Sequence, residues 1–125
     1  MGESGASLLW TLAESDEVQV ETRKDGRSAV HRTTIWIVAT RDGVYVRSVR
    51  GTRGRWYQEA LANPLLSIHV GPRSVKARAV PEKSEQVIRD VSEALRQKYG
   101  ERWSEETDSM LKPSVLHTTL RLEPL

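Results

Sequence analysis

Between Arg41 and Arg55 the chain carries five arginines, Arg41, Arg47, Arg50, Arg53 and Arg55, against a single acid, Asp42. A guanidinium fork binds phosphate or carboxylate oxygens in pairs, so such a cluster suits an anionic partner. Gly51 and Gly54 interrupt the run, and glycine lets backbone N–H groups come close to an anion. A helix beginning near Arg55 would add the positive end of its dipole. Arg50, Arg53 and Arg55 together could neutralise a phosphate carrying a charge near −2. The same residues would equally serve as a solvated basic loop, or as partners for glutamates across a subunit interface. The loop is not a P-loop or a dinucleotide fingerprint, because neither Gly-x-x-x-x-Gly-Lys nor Gly-x-Gly-x-x-Gly occurs.

Aromatic residues stand beside this loop. Trp56 and Tyr57 offer flat surfaces on which a polycyclic ring system could stack, although aromatic side chains fill cores and interfaces just as readily. Trp36 lies mid-strand, where core or interface is the expectation. His31, His69 and His117 do not pair at metal-ligand spacing, and the chain has no cysteine, so no metal site is expected. No Gly-x-Ser-x-Gly elbow supports a hydrolase. The arginines gather in one loop and do not spread along a groove, which argues against a nucleic-acid-binding barrel.

These side chains sit in a chain of 125 residues, a length that fits one domain over residues 1–125. With 38% hydrophobic and 29% charged residues and a net charge of +2, the composition is that of a folded protein. No apolar run approaches the roughly 20 residues of a membrane helix. Ser7 to Ala13 is too short an apolar stretch for a secretory signal, and a cytoplasmic location is expected.

The hydrophobic pattern predicts the scaffold. A short helix is expected over Ser4 to Ala13, and a strand over Val18 to Thr22. An Asp25-Gly26 hairpin turn in positive φ should follow, then one long strand from Ala29 to Thr40, buried on both faces. Arg41-Asp42-Gly43 should turn the chain into a strand over Val44 to Val49. The basic glycine loop and a helix from Arg55 to Ala62 come next, stopped by Asn63-Pro64. Strands are expected at Leu65 to Val70 and Val75 to Val80, joined at Gly71-Pro72. Ser84 caps a helix with an apolar stripe of Val87, Ile88, Val91 and Leu95, ending at Gly100. The segment from Glu101 to Ser109 reads as loop or a frayed helical turn, and Val115 to Leu122 as the last strand. The fold class expected is mainly β: six antiparallel strands closed into a barrel with helices outside.

Several stretches resemble a known superfamily. Thr22-Arg23-Lys24-Asp25-Gly26-Arg27 and His31-Arg32-Thr33-Thr34-Ile35-Trp36 are similar to the opening hairpin of the flavin-binding split barrels. Tyr45 to Gly51 resembles their next strand and phosphate loop. Trp56-Tyr57-Gln58-Glu59-Ala60-Leu61-Ala62-Asn63-Pro64, with Ile68 to Gly71 and Ala77 to Val80, resembles the deazaflavin-dependent nitroreductase branch. The whole chain also looks like the DUF2255 type of that superfamily. The resemblance implies an FMN-binding-type split barrel, a homodimer, and a bound deazaflavin (coenzyme F-420) or FMN. That cofactor would pass hydride or electrons to a small organic acceptor. By position it implies cofactor contacts at Arg32, Thr33, Thr34, Arg47, Ser48, Val49, Arg50, Gly51 and Arg53, with Trp56 and Tyr57 packed near the ring. The chain departs from the nitroreductase pattern at Glu59-Ala60, where that branch carries Asn-Leu near the cofactor. Glu59 therefore supports an alternative, a split barrel that binds a ligand without turnover.

Overall fold

The computed structural model describes residues 4–125. Seven strands form one sheet: β1 (Val18–Thr22), β2 (His31–Ile35), β3 (Val38–Thr40), β4 (Gly43–Val46), β5 (Leu65–Val70), β6 (Arg73–Pro81) and β7 (Leu120–Pro124). All pairings are antiparallel, in the order β2-β1-β5-β6-β7-β4-β3. The helices are α1 (Gly5–Leu12), α2 (Arg55–Ala62), α3 (Glu85–Tyr99), α4 (Ser104–Met110) and α5 (Pro113–Leu116). A 3-10 turn spans Gly51–Arg53. No helix among the described residues is long and apolar enough to cross a membrane.

The seventh strand corrects the sequence expectation. The stretch expected as one strand from Ala29 to Thr40 is broken at Trp36-Ile37 into β2 and β3, which lie at opposite edges of the sheet. Ile35 and Val38 are three residues apart, so they lie within about 11 Å of each other. The sheet must therefore curl until its two edges meet at this bend. The cause lies far away in sequence. Ile37 leaves the strand ladder and bonds instead to the end of α3. Its N–H donates to the Tyr99 hydroxyl at 3.2 Å, and its carbonyl accepts from Lys98 Nζ at 2.7 Å.

Other local expectations are also corrected. Gly26 does not adopt positive φ; among the described residues only Gly51 and Gly71 do. The 23–30 connection is a wider loop, held by Asp25 Oδ1, which accepts from the N–H groups of Arg27 and Ser28 at 2.8 and 2.9 Å. The helical alternative for Glu101 to Ser109 is what forms, but as a full two-turn helix, α4, with Glu105 and Glu106 in its first turn where the dipole favours acids. Val115 and Leu116 belong to α5, which Pro113 opens; β7 begins only at Leu120.

Of the strand expected over Val44 to Val49 only Val44 to Val46 is strand, because Arg47 turns inward to bond α3 and α4 and Ser48 turns to Gly51. The remaining elements follow the pattern. Ser4 and Ser84 cap α1 and α3 by accepting from the N–H groups of Ser7 and Val87. Gly71, at φ 56, makes the tight hairpin between β5 and β6. Two apolar clusters result. One fills the curl of the sheet with Val20, Ile35, Ile37, Val46, Ile68, Ala77 and Leu122, closed by Leu9 and Leu12 of α1 and by Trp56, Tyr57 and Ala60 of α2. The other lies outside β3 and β4, where Val38 and Tyr45 meet Val91, Leu95 and Tyr99 of α3 and Met110 and Val115. The β3–β4 pair, with a cluster on each side, is thus the doubly buried part of the sheet.

Candidate functional site

A cleft of about 740 Å³ opens where the curled sheet leaves its edge strand β2. Thr33, Thr34, Ile35 and Trp36 form one wall. Val49 and Arg50, from the loop after β4, form the floor, with Gly54, Arg55 and Trp56 at the start of α2. Glu17, Arg47 and two residues of α4, Glu106 and Met110, complete it. β2 pairs on one side only, with β1, so its other side presents unpaired backbone groups to a neighbour. Gly54 offers no side chain to cap α2, and the first N–H groups of that helix are left for an outside acceptor.

The loop holding Arg50 is built by close packing. Ser48 is buried and donates its hydroxyl to the Gly51 carbonyl at 2.7 Å. Gly51 has φ 67, and a Cβ there would lie 3.1 Å from the Ser114 carbonyl oxygen. A Cβ on Gly54 would come within 2.3 Å of Ser48 Oγ. Both glycines are thus demanded by the fold of the loop itself.

The arginines of the cluster divide into three kinds. Arg47 is 1% exposed. Its guanidinium donates to Thr119 Oγ1 at 2.8 Å, the Met110 carbonyl at 3.1 Å and the Ile88 carbonyl at 2.8 Å. It joins α3, the end of α4 and the approach to β7. Burial, and secondarily Arg96, lowers its pKa to about 10, so it stays a cation at neutral pH. No carboxylate among the described residues pairs with it. Arg50 and Arg55 are exposed on the cleft, and no described side chain or carbonyl occupies them. Arg53 is exposed but does not line the cleft.

The other candidates are also placed. Val49 is 56% exposed on the cleft floor. Trp56 is buried against the core yet reaches the cleft; it makes no hydrogen bond, and no described side-chain nitrogen is both buried and unpaired, so its N–H is open there. Tyr57 packs edge-on to Trp56 in the core and does not line the cleft. Arg32 lies away from the cleft, 3.2 Å from Glu21. Glu59 is buried beneath β1 and β2, accepting from Thr22 Oγ1 at 2.8 Å and facing His31 Nδ1 at 2.8 Å. Its charge is answered there, outside the cleft lining.

A family model described as "Uncharacterized protein conserved in bacteria (DUF2255)" matches residues 9–122. The chain belongs to the DUF2255 family. No curated protein matches it. Solved structures resemble this DUF2255 chain over nearly its whole length. The heme storage protein HutZ from Vibrio cholerae has a TM-score of 0.65 at 14% identity, covering 98% of this chain and 92% of that one. A FAD-binding protein from Mesorhizobium loti has a TM-score of 0.57 at 17% identity, covering 98% and 88%. An F-420 reductase has a TM-score of 0.50 at 13% identity, covering 92% and 91%. At such identities the likeness establishes the fold, a split β-barrel, with seven strands in this DUF2255 chain.

Glu17, Glu106 and Met110 of the DUF2255 cleft carry no motif. Glu106 is one of two acids opening α4, and only the helix-start signal Ser104-Glu105-Glu106 hints that this segment is ordered.

Proposed function

We propose that this protein binds a phosphorylated flavin-type cofactor in the cleft and acts as an oxidoreductase on a small organic acceptor, as a homodimer. The observation that carries the reading is the pair of unpartnered arginines, Arg50 and Arg55, beside the uncapped start of α2. This group suits a phosphate, because two guanidinium forks and a helix dipole all favour a dianion. The cleft volume lies within the range of cofactor pockets, about 300–1,000 Å³. The indole rings of Trp36 and Trp56 and the free side of β2 supply what a polar-edged flat ring needs, apolar faces and in-plane hydrogen-bonding groups.

The cofactor, when bound, supplies the hydride or electron transfer. The chain's own work is placement. Arg50 and Arg55 anchor the phosphate end. Arg47, at the cleft lining, fixes the Met110 side and adds a largely buried positive charge, which raises anion affinity. Thr33 and Thr34 present backbone and hydroxyl groups along the ring edge. Among the histidines, His31 faces Glu59, His69 faces Glu21 and His117 is exposed elsewhere. None lines the cleft, so it offers no histidine ligand to a haem iron, which favours the flavin reading.

The test is equilibrium dialysis of FMN and of the deazaflavin coenzyme against the wild-type protein, Arg50→Ala and Arg55→Ala. Losing one charge-assisted phosphate contact, worth about 1.5–3 kcal/mol, should weaken binding roughly tenfold or more in each variant. Retention of neither cofactor by the folded protein would overturn the proposal. Equal affinity in all three proteins would move the phosphate away from this loop.

A further inference from the structure

Trp36 is more than a wall of the cleft. One face of its indole is covered by Tyr99, with ring centroids 3.9 Å apart and planes within 7°. Trp103 lies 6.1 Å from both rings, tilted 45° to each. The cluster therefore runs from the cleft, which Trp36 lines, to the surface, where Trp103 is 37% exposed. Arg102 lies over the Trp103 ring at 4.3 Å and is itself fixed by two bonds of 2.8 Å to the Asp16 carboxylate. The array is thus held at both ends, by Arg102–Asp16 outside and by the Tyr99 hydroxyl on Asp16 and Ile37 within.

We infer that Trp36 and Trp103 form an electron path from the surface to a redox ring bound in the cleft. The inference rests on the flavin reading and extends it, because a route for single electrons serves an isoalloxazine such as FMN and is idle for an obligate hydride carrier. The groups around each ring decide where oxidation comes to rest. Tyr99 is fully buried, and its hydroxyl meets backbone groups only, at 2.7 Å from the Asp16 carbonyl and 3.0 Å from the Ile37 carbonyl. A carbonyl cannot keep a phenol proton, so Tyr99 is a packing partner and not a stopping point. Trp103 is 37% exposed and its N–H bonds to no described group, so the proton has a way out to solvent. The Arg102 cation over its face disfavours a second positive charge there and drives the N–H proton out.

The balance is as follows when the oxidant is an FMN ring excited by blue light. One electron passes from Trp36 to the ring, and one passes from Trp103 to refill Trp36. The Trp103 N–H proton goes to water. The bound ring ends one electron richer and Trp103 one electron and one proton poorer.

The experiment uses the full chain loaded with FMN, with occupancy fixed by equilibrium dialysis, and follows transient absorption after a blue flash. The wild type should show strong quenching of FMN emission and a long-lived neutral tryptophan radical. Trp103→Phe changes a surface residue; it should keep the quenching but shorten the radical lifetime by at least an order of magnitude. Trp36→Phe should restore emission several-fold at equal occupancy. Unchanged quenching in Trp36→Phe, or an unchanged radical lifetime in Trp103→Phe, overturns the path while leaving the cofactor site standing. Failure of dialysis to load FMN onto the folded wild type sinks the flavin reading and the path with it.

Discussion

Arg47 is the residue whose removal should be felt most. Its three hydrogen bonds go to neutral acceptors on α3, on the end of α4 and on the segment before β7. Bonds from a charged donor contribute about 1.5–3 kcal/mol each, or roughly 4–9 kcal/mol together. Against this stands the cost of burying a cation with no carboxylate partner, several kcal/mol. The consequences of deletion are unequal at the three acceptors. Thr119 Oγ1 still donates to the Leu116 carbonyl at 2.7 Å, and Ile88 lies inside α3, where the helix supplies its usual partner. The Met110 carbonyl, at the end of α4, is left without a donor. Arg47→Met, which keeps most of the apolar stem, should cost about 3 kcal/mol, and Arg47→Ala about 4–5 kcal/mol because the stem packing is lost as well. For a domain of this size 1 kcal/mol moves the melting temperature by roughly 4 °C, so the methionine variant should melt about 12 °C lower. Urea titration with an unchanged slope is the assay. Arg47→Lys should fall between, since one ammonium cannot span three acceptors set around a planar fork. A loss under about 1 kcal/mol in Arg47→Met, or a gain, would show that desolvation outweighs the bonds and that Arg47 does not hold the cleft wall.

The remaining expectations concern other supports of the site. Gly51→Ala combines positive φ with a Cβ 3.1 Å from a backbone carbonyl; it should cost about 1–3 kcal/mol by thermal melting and weaken FMN retention. Thr22→Val leaves Glu59 with one donor fewer in a buried place, and urea titration should show a loss of about 1–3 kcal/mol. Burial chiefly raises the Tyr99 pKa to about 12. Its ordinary value is 10.0, so between these values the unfolded chain gives up a proton that the folded chain keeps. The contribution is full below pH 10 and is lost as pH rises to about 12, and denaturation midpoints should fall across that window. In Tyr99→Phe the alkaline fall should be shallower; an identical fall would assign it to other groups.

Helix and strand existence was legible where the apolar period and a cap agreed. α2, α3, β1 and β5 lie where the sequence places them, because Gly54, Ser84 and the Asn63-Pro64 stop act locally. The split of β2 from β3 was not legible. Trp36 and Ile37 look like strand centre, and the bend is fixed by Tyr99 and Lys98, some sixty positions downstream. α5 was hidden because Val115 and Leu116 are as apolar as strand residues, although Pro113 at the first helical position was a usable signal. At the site, the sequence drew Thr33, Thr34, Arg47, Val49, Arg50 and Trp56 into one group, and the fold brings them to one cleft. It could not separate Arg47 from Arg50. Residue type announces a cation, but burial depends on what three distant segments place above it.

The walls of the cleft are held by polar ties more than by the apolar clusters. β2 is joined to α2 through His31 and Glu59, α4 to the barrel through Arg47, and the bend after β2 to α3 through Lys98 and Tyr99. Each tie spans at least 28 residues of sequence. Apolar packing sets how the sheet curls, since it rewards any arrangement that removes surface from water. It is nondirectional, and so it cannot fix a strand edge and a helix start at the separation a flat ligand needs. Hydrogen-bonded charges can, because they tolerate little change in distance or angle. It follows that substitutions in the ties should disturb ligand affinity out of proportion to stability, while volume-conserving core changes such as Ile68→Leu should do the reverse. Affinity and melting temperature that fall in constant proportion across both sets would refute that division.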